Sequence, residues 1–270
     1  MKKLKILIGS LVLVTGLMLT GCGSTAEKSD TAKSSGSDIK AIKDRGTLKV
    51  GVKVDVPKFG YKDPKTSKVE GFEIDIAKAV AKKVLGDENK VDLQGVTAKT
   101  RGPLLDSGQV DMIAGTFTIT DERKKSYNFS DPYFTDGVGI MVKKASGIQD
   151  LKGLNGKKIG VAQSATSKQA IQTEADKVGS KVTFLEFSTY PEIKAALEAG
   201  RVDAFSVDGA ILNGYLDDST VIIDQRFSPQ NYGVASKKGN DELAKAINDT
   251  VNEMKKSGEL DNLIKKWGIK

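Results

Sequence analysis

Short apolar runs alternate with amphipathic stretches along most of the chain, beginning near residue 38. Apolar runs of strand length, each followed by residues of helical periodicity, are typical of α/β proteins. Strands are predicted at residues 47–52, 91–96, 110–114, 158–162, 182–187 and 204–207. Helices are predicted at residues 39–43 and 71–84, after Ser164, after Pro191, after Asp208 and at residues 240–256. This alternation predicts parallel sheets covered by helices.

The segment 71–84 has the clearest helical pattern in the chain. Apolar residues recur at every fourth position from Ile76, and Glu73 and Asp75 fall in the first turn, where the helix dipole favours acids. Two carboxylates two positions apart do not face each other on a helix. We therefore interpret Glu73 and Asp75 as structural residues and not as a catalytic pair.

Two extended runs that contain glycine are candidate crossings between two lobes. They lie at residues 137–142 and 230–235. Glycine lets a crossing strand absorb changes in backbone angle, although a bulge or a turn explains the same residues. With crossings at these places, we expect lobe 1 to comprise residues 38–133 and 232–270, and lobe 2 to comprise residues 134–231 including the hinge strands.

The amino-terminal segment is typical of an export signal. Residues 1–21 begin with lysines and continue with an apolar stretch at 6–18, too short for a stable membrane span. Residues 19–22, ending at Cys22, resemble the bacterial lipobox, which implies cleavage before Cys22 and attachment of lipid, palmitate included. The alternative is an ordinary secretory signal with an incidental cysteine. Residues 22–37 are small and polar and predict a flexible tether to the extracytoplasmic face of the cell membrane.

Composition narrows the function classes. The 270 residues are 39% hydrophobic and 29% charged, with a net charge of +7 that falls to +4 once the three lysines of the signal are removed (7 − 3 = 4). Lysines are interspersed with acids, which argues against a nucleic-acid-binding surface. The chain has no histidine and one cysteine, so neither a histidine base nor a cysteine-cluster zinc site is available. We expect no cofactor, no metal and no catalytic residue.

The stretch at residues 115–123 is the main candidate for binding chemistry. It follows the predicted strand at 110–114, and in an extended segment the hydroxyls of Thr116 and Thr118 lie on one face. Arg123 stands on the turn that follows. Two hydroxyls and a guanidinium can hold a carboxylate, because arginine matches its geometry bidentately. The alternative is an edge strand followed by a solvated turn.

Several motifs together resemble the family 3 extracellular solute-binding proteins, the amino-acid receptors of ABC importers. The residues that carry the resemblance lie at 71–84, 115–123, 129–130 and 132–133, and the likeness extends over residues 38–270. It implies a two-lobed α/β fold of the periplasmic-binding-protein type II, or Venus flytrap, kind. Two crossing strands would join the lobes, and the ligand would lie in the cleft between them.

The resemblance also implies roles for particular residues. Arg123, Thr118 and the backbone around Thr116 would bind the α-carboxylate of an amino acid, and Thr166 would complete that site from the second lobe with nearby backbone N–H groups. Asp208 would accept the α-ammonium group. The alternative role of Asp208 is to cap the helix predicted after it.

Ligand specificity is predicted from Lys53 and Arg101, which resemble the pattern of aspartate- and glutamate-binding members. Val56 and Ala98 stand where aromatic residues are frequent in the family, which implies different side-chain contacts. Two buried cations call for an anion, since a neutral amide leaves a charge unpaired at a cost of about 3–5 kcal/mol. The alternative is that both side chains point to solvent.

The sequence therefore predicts a lipid-anchored, monomeric receptor that captures L-glutamate or L-aspartate and delivers it to a membrane permease. A protein that binds glutamine or another polar amino acid is the nearest alternative. A sensory or adhesive protein using the same cleft, and a dehydratase-like enzyme on the same scaffold, remain as alternatives from other classes. The absence of histidine and of a placed acid–base pair argues against the enzyme.

Overall fold

The computed structural model describes residues 38–269. The predicted signal peptide at 1–21, the tether at 22–37 and the lipidation site Cys22 lie outside the described residues. Within residues 38–269, no helix has both the length and the apolar character needed to span a membrane.

Strands and helices alternate along the described chain. The strands are β1 (Leu48–Val52), β2 (Asp55–Val56), β3 (Gly60–Lys62), β4 (Val69–Glu70), β5 (Val91–Gly95), β6 (Met112–Ala114), β7 (Tyr127–Phe129), β8 (Phe134–Lys143), β9 (Lys158–Ala162), β10 (Thr183–Phe187), β11 (Ala204–Asp208), β12 (Thr220–Ile222), β13 (Phe227–Tyr232) and β14 (Ala235–Lys237). The helices are α1 (Asp38–Arg45), α2 (Phe72–Leu85), α3 (Arg101–Asp106), α4 (Asp121–Ser126), α5 (Ser167–Lys177), α6 (Tyr190–Glu198), α7 (Gly209–Asn213), α8 (Asp241–Lys256) and α9 (Glu259–Trp267).

Two large sheets form the two lobes. The first has the strand order β5-β1-β6-β14-β7, and the second has the order β10-β9-β11-β8-β12 with β13 paired to β8. The pairs β1–β5, β1–β6, β9–β10 and β9–β11 are parallel, as the alternation of strands and helices predicts. A small antiparallel sheet, β2-β3-β4, follows β1. The predicted two-lobed α/β architecture is confirmed.

The chain crosses between the sheets twice. β8 begins at Phe134 and runs through the second sheet, while β13 pairs antiparallel with the start of β8, from Phe227 opposite Val138 to Tyr232 opposite Phe134. The chain then enters the first sheet as β14. Two neighbouring crossing strands are therefore present, as the sequence predicted. The lobe boundaries assigned at residues 133/134 and 231/232 stay a prediction.

An aromatic cluster packs against the crossing strands. Its ring centroids are 5.3 to 6.4 Å apart, mostly in edge-to-face geometry, which is favourable for aromatic pairs. The members are Phe59, Phe72, Tyr133, Phe134 and Tyr232. Tyr133 and Tyr232 are more than 95% buried, so their hydroxyls need partners inside the protein. The hydroxyl of Tyr133 donates to Glu73, and that of Tyr232 donates to Asp208.

Some elements differ from the sequence prediction. The helices α3, α4 and α9 were not predicted, and neither were the hairpin strands β2 and β3. Pro103 obscures α3, but a proline in the first helical turn loses no hydrogen bond, because the N–H groups there have no partner within the helix.

Candidate functional site

The residues predicted to bind ligand come from both lobes, and most of them are buried. The side chains of Lys53, Arg101, Thr116, Thr118 and Asp208 are between 1% and 5% exposed, while Arg123 and Thr166 are half-buried. Polar side chains rarely lie at such depth unless they are paired or serve a ligand.

Arg123 connects the two lobes. It lies in the first turn of α4, where its N–H donates to the capping hydroxyl of Thr120. Its Nη1 donates to the carbonyl oxygen of Thr118 at 2.7 Å, and its Nη2 donates across the cleft to that of Ser164 at 3.0 Å. Burial, with a smaller effect from Arg101, lowers the pKa of Arg123 to about 9, so it stays cationic at neutral pH.

Gln230 brings together the two hydroxyls predicted to bind the α-carboxylate. Its Oε1 accepts from Thr118 at 2.9 Å and from Thr166 at 2.7 Å. Gln230 lies on the crossing strand β13 and is 2% exposed. Sequence reasoning placed residue 230 in a crossing run but did not assign it to the site. Its side-chain carbonyl accepts from the same donors that a ligand carboxylate would use.

Asp208 stands at the end of β11 and in the N-cap position of α7, but its side chain makes no capping hydrogen bond. It accepts instead from the hydroxyl of Tyr232 in the aromatic cluster. The capping alternative is therefore wrong. Burial raises the pKa of Asp208 to about 7, and the hydrogen bond from Tyr232 opposes that rise.

Lys53 is buried as predicted, but it is not an unpaired cation. Its Nζ lies 2.9 Å from Oδ1 of Asp55 and 4.7 Å from the centroid of the Tyr190 ring. Burial lowers the pKa of Lys53, and the charge of Asp55 opposes the shift. The expectation of two uncompensated cations is wrong for this residue, because Asp55 already balances its charge.

Arg101 is 3% exposed and uses Nη1 to hold backbone. That nitrogen donates to the carbonyl oxygens of Gly115 and Thr116, both at 2.8 Å, and the guanidinium stacks 4.1 Å from the centroid of Phe117. Its Nε finds no hydrogen-bond partner within the described part of the chain. Arg101 therefore points inward, as predicted, and its Nε remains free to donate.

Thr116 does not have the predicted extended geometry. β6 ends at Ala114, and Thr116 has a φ of +44°, so the alternation of hydroxyls with Thr118 on one face fails. The Thr116 hydroxyl is buried and has no partner among residues 38–269. Its N–H donates to Oε1 of Glu73 at 2.5 Å. Glu73, fully buried at the start of α2, thus supports the site from below.

Tyr190 is a site residue that sequence reasoning missed. It begins α6 behind a capping box formed by Thr189 and Glu192, and its side chain is 4% exposed. Its hydroxyl makes no hydrogen bond to another described residue, although Arg101, Asp208 and Asp55 all contribute to the electrostatic field there. Burial raises the pKa of Tyr190, so the phenol remains protonated at neutral pH.

One pocket in the described part of the chain lies at these residues. Thr118, Thr166 and Gln230 line a pocket of about 390 Å³. Four larger depressions, of about 710, 630, 570 and 550 Å³, are lined by other residues, and none of the predicted ligand residues lies in them. Among residues 38–269 no cluster of acids, histidines or cysteines is arranged to hold a metal ion.

Two α/β lobes with two crossing strands, and buried charged groups that converge from both lobes, define the class of two-lobed solute-binding proteins. The particular family follows from the sequence: the chain belongs to the bacterial extracellular solute-binding proteins, family 3, which it matches over residues 48–270.

Three known proteins illustrate the similarity. The chain is 42% identical over 255 residues to the ABC transporter glutamine-binding protein GlnH of Bacillus subtilis (strain 168), covering 93% of this chain and 92% of that protein. It is 44% identical over 259 residues to the glutamine-binding protein of Geobacillus stearothermophilus, covering 92% and 97%. Among solved structures, an ancestral arginine-binding protein bound to glutamine matches with a TM-score of 0.74 and 41% identity, covering 83% of this chain and 98% of that one.

Proposed function

We propose that this chain is a lipid-anchored substrate-binding protein that captures glutamine for an ABC importer. The observation that carries the proposal is that Arg123 donates to backbone of both lobes, to the carbonyl oxygens of Thr118 and Ser164, while the carboxylate of Asp208 lies buried at the end of β11 and contributes to the electrostatic field at Arg123. An α-amino acid carries a carboxylate and an ammonium group on the same carbon, which complements such a pair. No catalytic role is proposed.

Arg123 would bind the α-carboxylate. Its present acceptors are the carbonyl oxygens of Thr118 and Ser164. The hydroxyls of Thr118 and Thr166, which now donate to Oε1 of Gln230, would join it in binding the carboxylate. Because these groups belong to two lobes, a ligand that bridges them favours the closed arrangement over an open one. Asp208 would take the α-ammonium group, with Tyr232 as its supporting donor.

The groups near Lys53 call for a carbonyl oxygen on the ligand side chain. An ammonium has three donors, and Asp55 is the only acceptor that Lys53 contacts within residues 38–269. The Nε of Arg101 is likewise buried without a hydrogen-bond partner there. Buried donors without acceptors are costly, so an oxygen that accepts from them contributes directly to binding.

Charge balance favours an amide over a second carboxylate. The buried cations Lys53 and Arg101 and the half-buried Arg123 are matched by three carboxylates, those of Asp55, Glu73 and Asp208. A zwitterionic ligand with a neutral side chain preserves this balance, whereas an acidic one adds a buried charge that costs several kcal/mol unless it is paired. The glutamine-binding relatives support the same choice.

An acidic amino acid, glutamate or aspartate, is the second candidate. The free donors on Lys53, Arg101 and Tyr190 are the observation that favours it, because a carboxylate offers two acceptor oxygens where an amide offers one. In that case Glu73 would take up a proton to restore the balance, since burial raises its pKa.

Calorimetric titration of the purified mature chain with glutamine, glutamate and aspartate tests the proposal. Glutamine is expected to bind at least about tenfold tighter than glutamate, the factor that 1.4 kcal/mol provides. Glutamate binding tighter than glutamine would establish the second candidate instead. The absence of binding by any amino acid would refute both.

Lipid anchoring through Cys22 needs its own experiment. In the native host, the full chain should fractionate with membranes and label with radioactive palmitate, and Cys22→Ser should abolish labelling. Labelling that persists in the Cys22→Ser variant, or a wild-type chain that is wholly free of lipid, would refute the anchor without bearing on ligand binding.

A further inference from the structure

One peptide group in the site is held at both of its polar ends by buried side chains of opposite charge. This is the peptide between Gly115 and Thr116. Its N–H donates to Oε1 of Glu73 at 2.5 Å, and its carbonyl oxygen accepts from Nη1 of Arg101 at 2.8 Å. Arg101 also holds the next carbonyl oxygen, that of Thr116, at 2.8 Å.

The backbone at this peptide is in a conformation that its sequence disfavours. Thr116 has a φ of +44°, a region that β-branched residues seldom adopt because Cβ crowds the backbone. Such a conformation persists only where surrounding groups impose it, and such residues cluster at ligand-binding sites. Glu73 and Arg101 are the charged groups that contact this peptide.

Glu73 has no ligand role in the proposed function. The side chain is fully buried. Its Oε1 also accepts from the hydroxyl of Tyr133 in the aromatic cluster, while Oε2 has no partner among the described residues. A buried carboxylate is costly, and its position at the start of α2 does not require one facing the core.

We propose that Glu73 is a positioning residue: together with Arg101 it clamps the Gly115–Thr116 peptide in the left-handed conformation that presents Thr116 and Thr118 to the ligand. The conformation of the clamp does not depend on which ligand binds. Its consequence for affinity rests on the proposed function, so the experiment has one arm with ligand and one without.

Two substitutions separate the effect of the Glu73 charge from that of its side-chain length. Glu73→Gln removes the charge but keeps an acceptor oxygen at the same distance, so it should hold the Thr116 N–H. Glu73→Asp keeps the charge but withdraws the oxygens by one methylene, so it should release that N–H. Asp75→Asn is the matched control, because Asp75 lies on the same helix and binds Lys266 and Trp267 instead.

The ligand-free arm measures hydrogen exchange of the Thr116 amide in each folded variant by nuclear magnetic resonance. Glu73→Gln and Asp75→Asn should retain the protection of the wild type, and Glu73→Asp should lose it selectively, with other amides of the first sheet unchanged. Equal protection in Glu73→Asp and the wild type would overturn the clamp. Loss of protection throughout the lobe in Glu73→Asp would also overturn it, by showing a merely structural role.

The second arm titrates glutamine. Glu73→Asp should raise Kd about tenfold, the order expected when binding must restore a disfavoured backbone conformation, while Asp75→Asn should stay within about threefold of the wild type. Unchanged affinity in Glu73→Asp would overturn the positioning role. If the wild type binds no amino acid, the proposed function fails, and the exchange of the Thr116 amide still decides the clamp.

Discussion

Ligand affinity should depend steeply on pH because of Asp208. The groups that act on this carboxyl are Tyr232, Asp136, Arg101 and Arg123, and burial is the dominant effect, raising its pKa to about 7. The ligand ammonium requires the ionised carboxylate. Affinity should therefore be full above pH 7 and fall as pH drops below it.

The magnitude follows from linkage. Below the pKa, binding must first remove a proton from Asp208, so each pH unit weakens binding by about 1.4 kcal/mol, or tenfold in Kd. Between pH 8 and pH 5, Kd should rise about 100-fold, since two of those three units lie below 7. The sign for folding is the reverse: the contribution of Asp208 to stability is fully present below its ordinary pKa of 3.8 and is lost as pH rises through 7.

Calorimetry in two buffers of different ionisation enthalpy checks this by counting protons. Nearly one proton should be released per ligand bound at pH 5.5 and almost none at pH 8. The chain has no histidine, so few other groups change charge in this range. Asp208→Asn should bind weakly and without the slope. A Kd that is constant from pH 5.5 to 8, or a slope that survives in Asp208→Asn, would refute the reasoning.

Three further predictions concern affinity at a single pH. Arg123→Ala should raise Kd for every amino acid at least about 100-fold, because it leaves the α-carboxylate of the ligand unpaired. The control, Lys124→Ala on the exposed face of the same helix, should stay within about twofold of the wild type. Equal effects of the two substitutions in calorimetry would contradict this prediction. Asp55→Asn should shift the ratio of glutamate to glutamine affinity about tenfold toward glutamate, because it leaves the positive charge of Lys53 without a matching carboxylate. A constant ratio in competition titrations would disprove the charge-balance argument. Tyr190→Phe should weaken glutamine binding about fivefold without lowering the midpoint of thermal unfolding. The reason is that the lost hydroxyl has no hydrogen-bond partner within residues 38–269 of the ligand-free protein. A lower midpoint with unchanged affinity would contradict this prediction.

Local patterns accounted for much of the fold. The apolar run at 158–162 coincides with β9, and the four-residue periodicity from Ile76 marks α2, because burial on one face leaves a repeating signature in the sequence. The small sheet after β1 left no such signature. Its strands are two or three residues long and largely exposed or turn-like, too short for alternation to be recognised.

Two features of the site depend on distant contacts and could not be predicted in this way. The left-handed backbone of Thr116 requires Glu73 from another element. Gln230 lies 112 residues from Thr118, its hydrogen-bond donor. A residue's type indicates which bonds it can make, but the fold decides which of them are made.

The hydrogen bond from Tyr232 to Asp208 gives the protein a built-in optical reporter. A phenol that donates to an ionised carboxylate absorbs at longer wavelength than one whose acceptor has been drawn toward a cation, so occupancy of the cleft should register in the near-ultraviolet difference spectrum. The chain has six tyrosines and one tryptophan, and that tryptophan, Trp267, donates its own N–H to Asp75 in the packing of α9 against α2. Binding and release of ligand could then be followed in real time without any attached dye.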